Sequence, residues 1–310
     1  MTSIAERRPL AQPPARDIRA ARRARARLVD RAMTGVLWTL VGAVVTLLLY
    51  FILYTIFKGL HVLSWKFITQ ANVTGDFVGP EVFNTFYILI FALLLCIPVG
   101  IGGAVYLTEY ARQGAFTRIL RLAVETLAGV PSLVLGFFGY LVLVTAFGSG
   151  HRFGYSRLAG AITLAILNLP LIVQVSEDAL RSVSQDLKEA SVALGATKSQ
   201  TIFRVLIPSS LPRFTTGVIL TAGKMIGETA ALIFTAGISG SVNGWFSLDP
   251  RLPGDTLTVH LYTLQAEGIT PNARAVEAGT ATLLILFLLL FNLGFRSLSG
   301  LLSRRLAGKR

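Results

Sequence analysis

Long apolar segments alternate with short polar ones along the chain. A helix needs about 20 mostly apolar residues to cross the hydrocarbon core of a bilayer, which is about 30 Å thick. Six segments meet this requirement, so we predict an all-α membrane protein with six transmembrane helices in one helical domain. The predicted spans cover residues 34–57, 82–107, 122–147, 158–175, 214–236 and 278–295.

A regular polar insert, KEASVALGATKSQTIFRVLIPSSLP (188–212), separates the fourth and fifth predicted spans. Ser182 and Gln185 fit a capping box, the side-chain pair that satisfies free backbone N–H groups at a helix start. The helix that begins there is predicted to run to Leu194. Gly195 then supplies the left-handed conformation that commonly ends a helix.

A second short helix is predicted after the bend. Thr197 and Gln200 fit another capping box, and Pro208 is expected to stop the helix because proline lacks the backbone N–H. The first helix carries small side chains, which allow close approach by another protein. These small residues are Ala190, Ser191, Ala193 and Ala196.

Composition agrees with a membrane protein. Of the 310 residues, 53% are hydrophobic and only 15% are charged, whereas soluble domains carry about 25% charged residues. The net charge of +13 comes from arginine and lysine clustered in the N-terminal tail, the second–third and fourth–fifth connections and the C-terminal tail. This positive-inside asymmetry predicts cytoplasmic N- and C-termini and a cytoplasmic insert. The basic tails then set topology or contact anionic membrane lipid, and no nucleic-acid partner is expected.

The predicted organisation has three parts. A basic cytoplasmic tail (1–33) precedes a transmembrane domain (34–303) that contains the insert as loop 182–212, and a basic C-terminal tail (304–310) follows. The first span is too long for the 7–15-residue core of a signal peptide, and we expect it to be retained.

Neither an active site nor a metal site is expected from the sequence. Cys96 is the only cysteine, and the three histidines (His61, His151, His260) share no ligand spacing. A phosphate-binding P-loop requires G-x-x-x-x-G-K-[ST]; "GATKS" at Gly195 lacks the second glycine. We therefore expect no cofactor on this chain and a non-catalytic role.

The insert resembles a known signature. Glu189-Ala190, then Gly195, then nine residues, then Val205-x-Ile207-Pro208 is similar to the EAA motif of type I ABC importer (MetI-like) permeases. The resemblance implies that the loop docks onto two cytoplasmic ATP-binding subunits, which would hold the ATP and Mg²⁺. Ser191 stands where the family usually has alanine. The implied ATPase-coupling residues are Glu189, Ala190, Gly195, Ala196 and Pro208.

Further blocks resemble phosphate-specific ABC permeases. They are GIGGAVYLTEYA (100–111), LAGVPSLVLGFFG (127–139), NLPLIVQVSEDAL (168–180) and GETAALIFTAG (227–237). KGLHVLSWKFIT (58–69) and DTLTVHLYTL (255–264) favour the A-type subunit over the C-type. The resemblance implies half of a phosphate pathway in a bacterial or archaeal plasma membrane. Its implied partners are a second, C-type permease and an extracytoplasmic phosphate-binding protein. The alternative is an importer of another oxyanion.

Two charges fall within the fifth predicted span. A charge at a helix centre costs about 2.5–3.5 kcal/mol on insertion scales, so Lys224 and Glu228 should face protein or water. Their spacing of four predicts one helix face, in a stripe with Gly217, Thr221, Ala231 and Thr235. Two interpretations remain open: a lined anion pathway, or an ion pair that holds helices together. The phosphate-specific family usually has arginine at Lys224, and many members have a basic residue at Gln174.

Smaller polar features have less specific interpretations. Gly129, Ser132, Gly136 and Gly139 form a small-residue stripe that is more typical of helix packing than of ligand contact. Ser132 and Gln174 nevertheless join Lys224, Glu228 and Thr221 as our candidate pathway residues.

Overall fold

The computed structural model describes residues 15–70, 76–112, 114–146, 154–238, 247–267 and 272–306, and no strand occurs among them. The helices of this part are α1 (Ala15–Gly59), α2 (Trp65–Thr69), α3 (Gly79–Val105), α4 (Ala115–Gly129), α5 (Ser132–Gly139), α6 (Arg157–Arg181), α7 (Gln185–Ala193), α8 (Lys198–Thr201), α9 (Ile207–Ile226), α10 (Ala230–Thr235), α11 (Leu257–Glu267) and α12 (Ala273–Leu306). Wider π-helical turns cover Tyr106–Tyr110, Tyr140–Ala146 and Ile202–Leu206.

Within the described residues, five helices are long and apolar enough to cross a membrane, and a bent pair of helices makes a sixth if it counts as one span. The fold class is therefore the all-helical membrane protein that was predicted. The five are Arg25–Gly59, Gly79–Tyr110, Arg157–Arg181, Lys198–Ile226 and Ala273–Gly294.

The third predicted span is not continuous. Helices α4 and α5 meet at an angle of 100°, so the span predicted over 122–147 is a bent pair of helices. Val130 has extended backbone (ψ 129°) and Pro131 follows it. Proline disfavours the helical conformation in the residue before it and donates no hydrogen bond, and both effects end α4 at Gly129.

The fifth predicted span is displaced and broken. Helical structure runs without interruption from Lys198 to Ile226, stops at Gly227, and resumes only at α10. Pro208 therefore does not stop the helix, contrary to the prediction. The π-helical turn before it widens the backbone, with the N–H of Ile207 donating to the carbonyl of Ile202, and Pro208 follows within the first turn of α9.

The chain divides into two compact units. In the first, Met1–Tyr54, the side chains described from Arg25 onward are almost all exposed. They form an apolar helix surface that needs lipid or another protein to cover it, because exposed patches of this size are rare in soluble proteins.

The second unit, Thr55–Arg310, is built around α3 packed on α6, with α9 between α6 and α12 and α10 against α5. Close approach depends on glycines. A Cβ at Gly217 would lie 1.7 Å from Val175 Cγ1, and one at Gly136 would lie 2.6 Å from Ala231 Cα. The interpretation of Gly136 as a packing residue is confirmed, as small residues allow helices in membranes to approach closely.

Candidate functional site

A cavity of about 350 Å³ lies where α5, α6 and α9 meet. Four of its lining side chains are polar: Ser132 from α5, Gln174 from α6, Lys224 from the last turn of α9, and Glu228 from the segment after α9. The remaining wall is apolar and consists of Ala128, Val130, Leu167, Pro170 and Leu171. Four of the five candidate pathway residues thus line one cavity although they lie on separate elements.

Lys224 and Glu228 do not share a helix face, contrary to the prediction. Helix α9 ends at Ile226, so Glu228 lies in the break between α9 and α10. Among the described residues, no ion pair within 4.0 Å joins the two side chains. Lys224 is exposed, and it lies in the last turn of α9, where a cation is stabilised by the helix dipole.

Thr221, the fifth candidate, lies outside the cavity. Its side chain is fully buried and its hydroxyl donates to the Gly217 carbonyl at 2.9 Å. A hydroxyl satisfied by the backbone of its own helix serves packing.

A second cavity of about 260 Å³ adjoins the first, and the two share Ala128, Pro170 and Gln174 as lining residues. Its polar wall contains Arg121 and Arg181, which both donate to Glu177 Oε2 at 3.0 Å. Sequence reasoning missed this arginine pair. The four-residue spacing of Glu177 and Arg181 on α6 was the only local signal.

The polar insert bends between two helices, as predicted, but the second helix does not end within the insert and continues to Ile226. The start of the first helix also differs from the prediction. Ser184 and not Ser182 precedes α7; the Ser182 hydroxyl donates instead to the Ala179 carbonyl. Gly195 has φ +83°, the predicted left-handed conformation. The capping box of Thr197 and Gln200 is present.

The outer surface of the insert combines polar and apolar side chains. Glu189 and Ala190 are exposed, and Ala196 is half-buried. Leu194 is 89% exposed, with Val192 and Phe203 also exposed. Sequence reasoning emphasised the small residues and missed these apolar ones, which are typical of a surface covered by a partner.

The inner surface of the insert is fastened to the end of α3. The Lys188 ammonium pairs with the Glu109 carboxylate, and Lys198 donates to the Glu109 carbonyl. Lys198 also lies 4.8 Å from the centre of the Tyr110 ring. Ser191, the departure from the EAA pattern, is buried, and its hydroxyl lies 3.0 Å from that of Thr201. The serine therefore joins the two short helices of the insert.

Long apolar helices, an open cavity with four polar lining side chains and an exposed polar insert are features of a polytopic membrane permease. Residues 97–308 match the family described as "Binding-protein-dependent transport system inner membrane component", and the chain belongs to this family of ABC importer permeases.

Two curated relatives match over nearly their whole length. A probable ABC transporter permease protein, YqgI, of Bacillus subtilis (strain 168) is 38% identical over 292 residues, covering 90% of this chain and 98% of the relative. The phosphate transport system permease protein PstA 2 of Mycobacterium bovis is 30% identical over 298 residues, covering 96% and 95%.

Solved structures agree on the fold. An inward-facing MetNI methionine ABC transporter chain matches with a TM-score of 0.53 at 21% identity, over 73% of this chain and 94% of that one. A bacterial alginate ABC transporter chain, solved with its alginate-bound periplasmic protein, matches with a TM-score of 0.62 at 14% identity, over 84% and 94%. The MetI-like permease fold is thereby confirmed.

Proposed function

We propose that this chain is the A-type permease subunit of an ATP-driven phosphate importer and forms half of its translocation pathway. The observation that carries the proposal is the cavity in which Lys224, Gln174 and Ser132 face one space from three helices. Relatives named as phosphate transport permeases support the cargo.

The chemistry of the cavity suits a tetrahedral oxyanion in transit. Lys224 supplies a compact positive charge, and Gln174 and Ser132 supply neutral donors. Lysine lacks the planar fork with which arginine grips phosphate at two points, and Glu228 adds a negative charge to the same wall. Weak binding is what a transported ion requires, since it must also leave.

The adjoining cavity extends this path toward the cytoplasm. Arg121 and Arg181 contribute two positive charges to its wall, whereas Glu125, Glu177 and Asp178 contribute three negative ones. This cavity would therefore hold an anion only weakly. The path would be completed by a second, C-type permease and supplied by an extracytoplasmic phosphate-binding protein, in the plasma membrane of a bacterium or archaeon.

We further propose that the insert couples transport to two cytoplasmic ATP-binding subunits, which hold the ATP and Mg²⁺. Its exposed Leu194, Val192 and Phe203 would fill a groove on the partner, since buried apolar anchors supply most of the binding energy at interfaces. Glu189, Ala190, Gly195, Ala196 and Pro208 would shape this contact.

The test of the proposed cargo is ATP-dependent uptake of labelled phosphate by the complex in liposomes, with Lys224→Gln and the matched control Lys66→Gln, an exposed lysine on α2. Loss of a charge-assisted hydrogen bond removes about 1.5–3 kcal/mol, and each 1.4 kcal/mol is tenfold. We expect Lys224→Gln to lower uptake by about tenfold or more and Lys66→Gln to leave it unchanged.

Competition with unlabelled anions separates phosphate from the alternative oxyanions. Unlabelled phosphate should block uptake, whereas sulfate and molybdate should not. ATP hydrolysis that responds to sulfate or molybdate instead would discard phosphate as the cargo. Equal uptake by the Lys224→Gln and Lys66→Gln complexes would remove Lys224 from the pathway.

A further inference from the structure

Away from the cavity, three side chains with metal-ligating groups converge. Glu81 lies in the first turn of α3, Asp255 lies two residues before α11, and His260 lies in the first turn of α11. They are respectively 1%, 2% and 8% exposed. One ligand atom from each lies within 4.8 Å of the other two.

The spacing within the cluster is that of ligands around an ion. His260 Nδ1 lies 3.7 Å from Glu81 Oε1 and 3.7 Å from Asp255 Oδ2. A direct N–H···O hydrogen bond spans 2.7–3.2 Å, so both separations are too long for one. Two ligands that each lie about 2.1 Å from a tetrahedral zinc ion are about 3.4 Å apart.

Polar atoms around the cluster lack partners. Within the described part of the chain, His260 Nε2, Asp255 Oδ1 and both amide atoms of Asn84 are buried without a hydrogen bond. Asn84 follows Glu81 by one turn on α3, and its amide lies 2.7 Å from where a Cβ on Gly254 would stand. Because buried polar groups are nearly always satisfied, the unpaired atoms of Asp255 and Asn84 indicate a missing ligand. An ion at His260 Nδ1 would leave Nε2 without a partner, since the two ring nitrogens point in different directions.

The backbone holds the ligands in place independently of any ion. The N–H of Leu257, between Asp255 and His260, donates to the Thr85 hydroxyl at 3.0 Å. The Thr85 hydroxyl in turn donates to the Glu81 carbonyl at 2.6 Å. These two hydrogen bonds hold the start of α3 against the start of α11. The three proposed ligands are therefore close together before an ion binds.

We propose that Glu81, Asp255 and His260 form a structural binding site for a divalent transition-metal ion of the zinc or manganese type, with Asn84 as an additional oxygen ligand or an anchor for a bound water. One imidazole and two carboxylates are nitrogen and oxygen donors suited to such ions, whereas a soft ion would require thiolates. The ion joins two segments that lie more than 170 residues apart in sequence.

The site also adjoins the proposed pathway without forming part of it. The hydroxyl of Thr258, between Asp255 and His260, donates to the Glu228 carbonyl at 3.0 Å. An ion that fixes α11 therefore fixes the segment that carries Glu228 as well.

The test measures the number of metal ions bound per complex. The complex is purified with a histidine-free affinity tag, equilibrated with Zn²⁺ or Mn²⁺, and then freed of excess metal. We expect one ion per chain, its number lowered at least fivefold by His260→Gln or Asp255→Asn. The matched control is His61→Gln, at an exposed histidine outside the cluster, and it should retain the ion. Thermal unfolding of the unmodified complex should shift upward with Zn²⁺ and return with a chelator.

Asn84→Ala keeps all three ligands, so it tests the site even if a ligand variant fails to fold. Loss of a supporting group typically costs 10–100-fold in metal affinity, and we expect a weakening of this size with an unchanged number of ions at saturation. A complex that binds no ion, or a His260→Gln complex that binds as much as the unmodified one, would overturn the site.

Discussion

At the scale of single residues, Arg157 shows how a charge is kept inside this fold. It is 0% exposed, and its guanidinium carbon lies 5.4 Å from the ring centres of both Phe83 and Tyr87. It also donates to the Ser247 carbonyl. Two aromatic faces and one backbone acceptor lie around the charge, while Nε and Nη2 have no hydrogen-bond partner among the described residues.

We predict that Arg157→Met lowers stability, because methionine cannot replace either the cation–π contacts or the hydrogen bond. A desolvated cation–π contact is worth about 2 kcal/mol, so the unfolding midpoint in detergent should fall by several degrees. The control is Arg251→Met, at an exposed arginine. Equal midpoints for the two variants would show that the stacking adds nothing.

Some single-residue interpretations from local patterns succeeded, although the predicted Ser182–Gln185 capping box and the predicted helix stop at Pro208 did not. Gly195 and the Thr197–Gln200 capping box depend only on neighbours in sequence, and the structure contains both. Arg157 is the contrasting case. Its burial depends on Phe83 and Tyr87, more than 60 residues away, and no local pattern indicated this contact.

At the scale of elements, glycine contacts decide how closely helices approach. We predict that Gly217→Leu prevents α9 from packing on α6, since even a Cβ there would overlap Val175. Overpacking of a core typically costs about 1–3 kcal/mol, and uptake should fall together with the unfolding midpoint.

The matched control is Gly102→Leu on α3. Nothing lies within 4 Å of a Cβ at Gly102, and the residue is exposed, so the same added side chain should have little effect on either quantity. A normal unfolding midpoint for Gly217→Leu would contradict the packing account.

Hydrophobic periodicity predicted which segments are helical but not where a helix breaks. Pro131 was a local sign of the bend between α4 and α5, but the long apolar segment around it favoured one continuous span. The break after Ile226 had only Gly227 as a sign, and the polar stripe continued through it at helical spacing. Consequently the sequence pattern indicated Lys224 and Glu228 as candidates but not their relative position.

At the scale of the whole molecule, the insert connects to two spans. It is fastened to α3 through Glu109 and continues directly into the helix that runs to Ile226. A displacement of the insert would therefore be transmitted to the cavity wall, because a helix without an intervening loop connects the two.

We predict that Gly195→Pro uncouples ATP hydrolysis from uptake. Proline fixes φ near −65°, far from the observed +83°, and it removes the N–H that donates to the Val192 carbonyl at 2.9 Å. Strain of about 1–3 kcal/mol would displace the insert, so uptake should fall by about tenfold while some hydrolysis persists.

Gly195→Asn serves as the control, because asparagine tolerates the left-handed conformation and should retain most uptake. Both rates are measured on the same liposomes, and membrane insertion is checked by the amount of complex recovered. Normal uptake by Gly195→Pro would exclude the insert from coupling.

The uninterrupted helix from Lys198 to Ile226 has one more consequence. At 1.5 Å per residue, its 29 residues extend about 43 Å, with the proposed ATPase contact at one end and Lys224 near the other. Thermodynamic linkage is symmetric: if nucleotide binding changes the affinity of the cavity for its anion, then the anion changes the affinity for nucleotide by the same factor. An importer built on this helix would thus sense its cargo from the cytoplasmic side, and the nucleotide affinity of the assembled complex would report how full the pathway is.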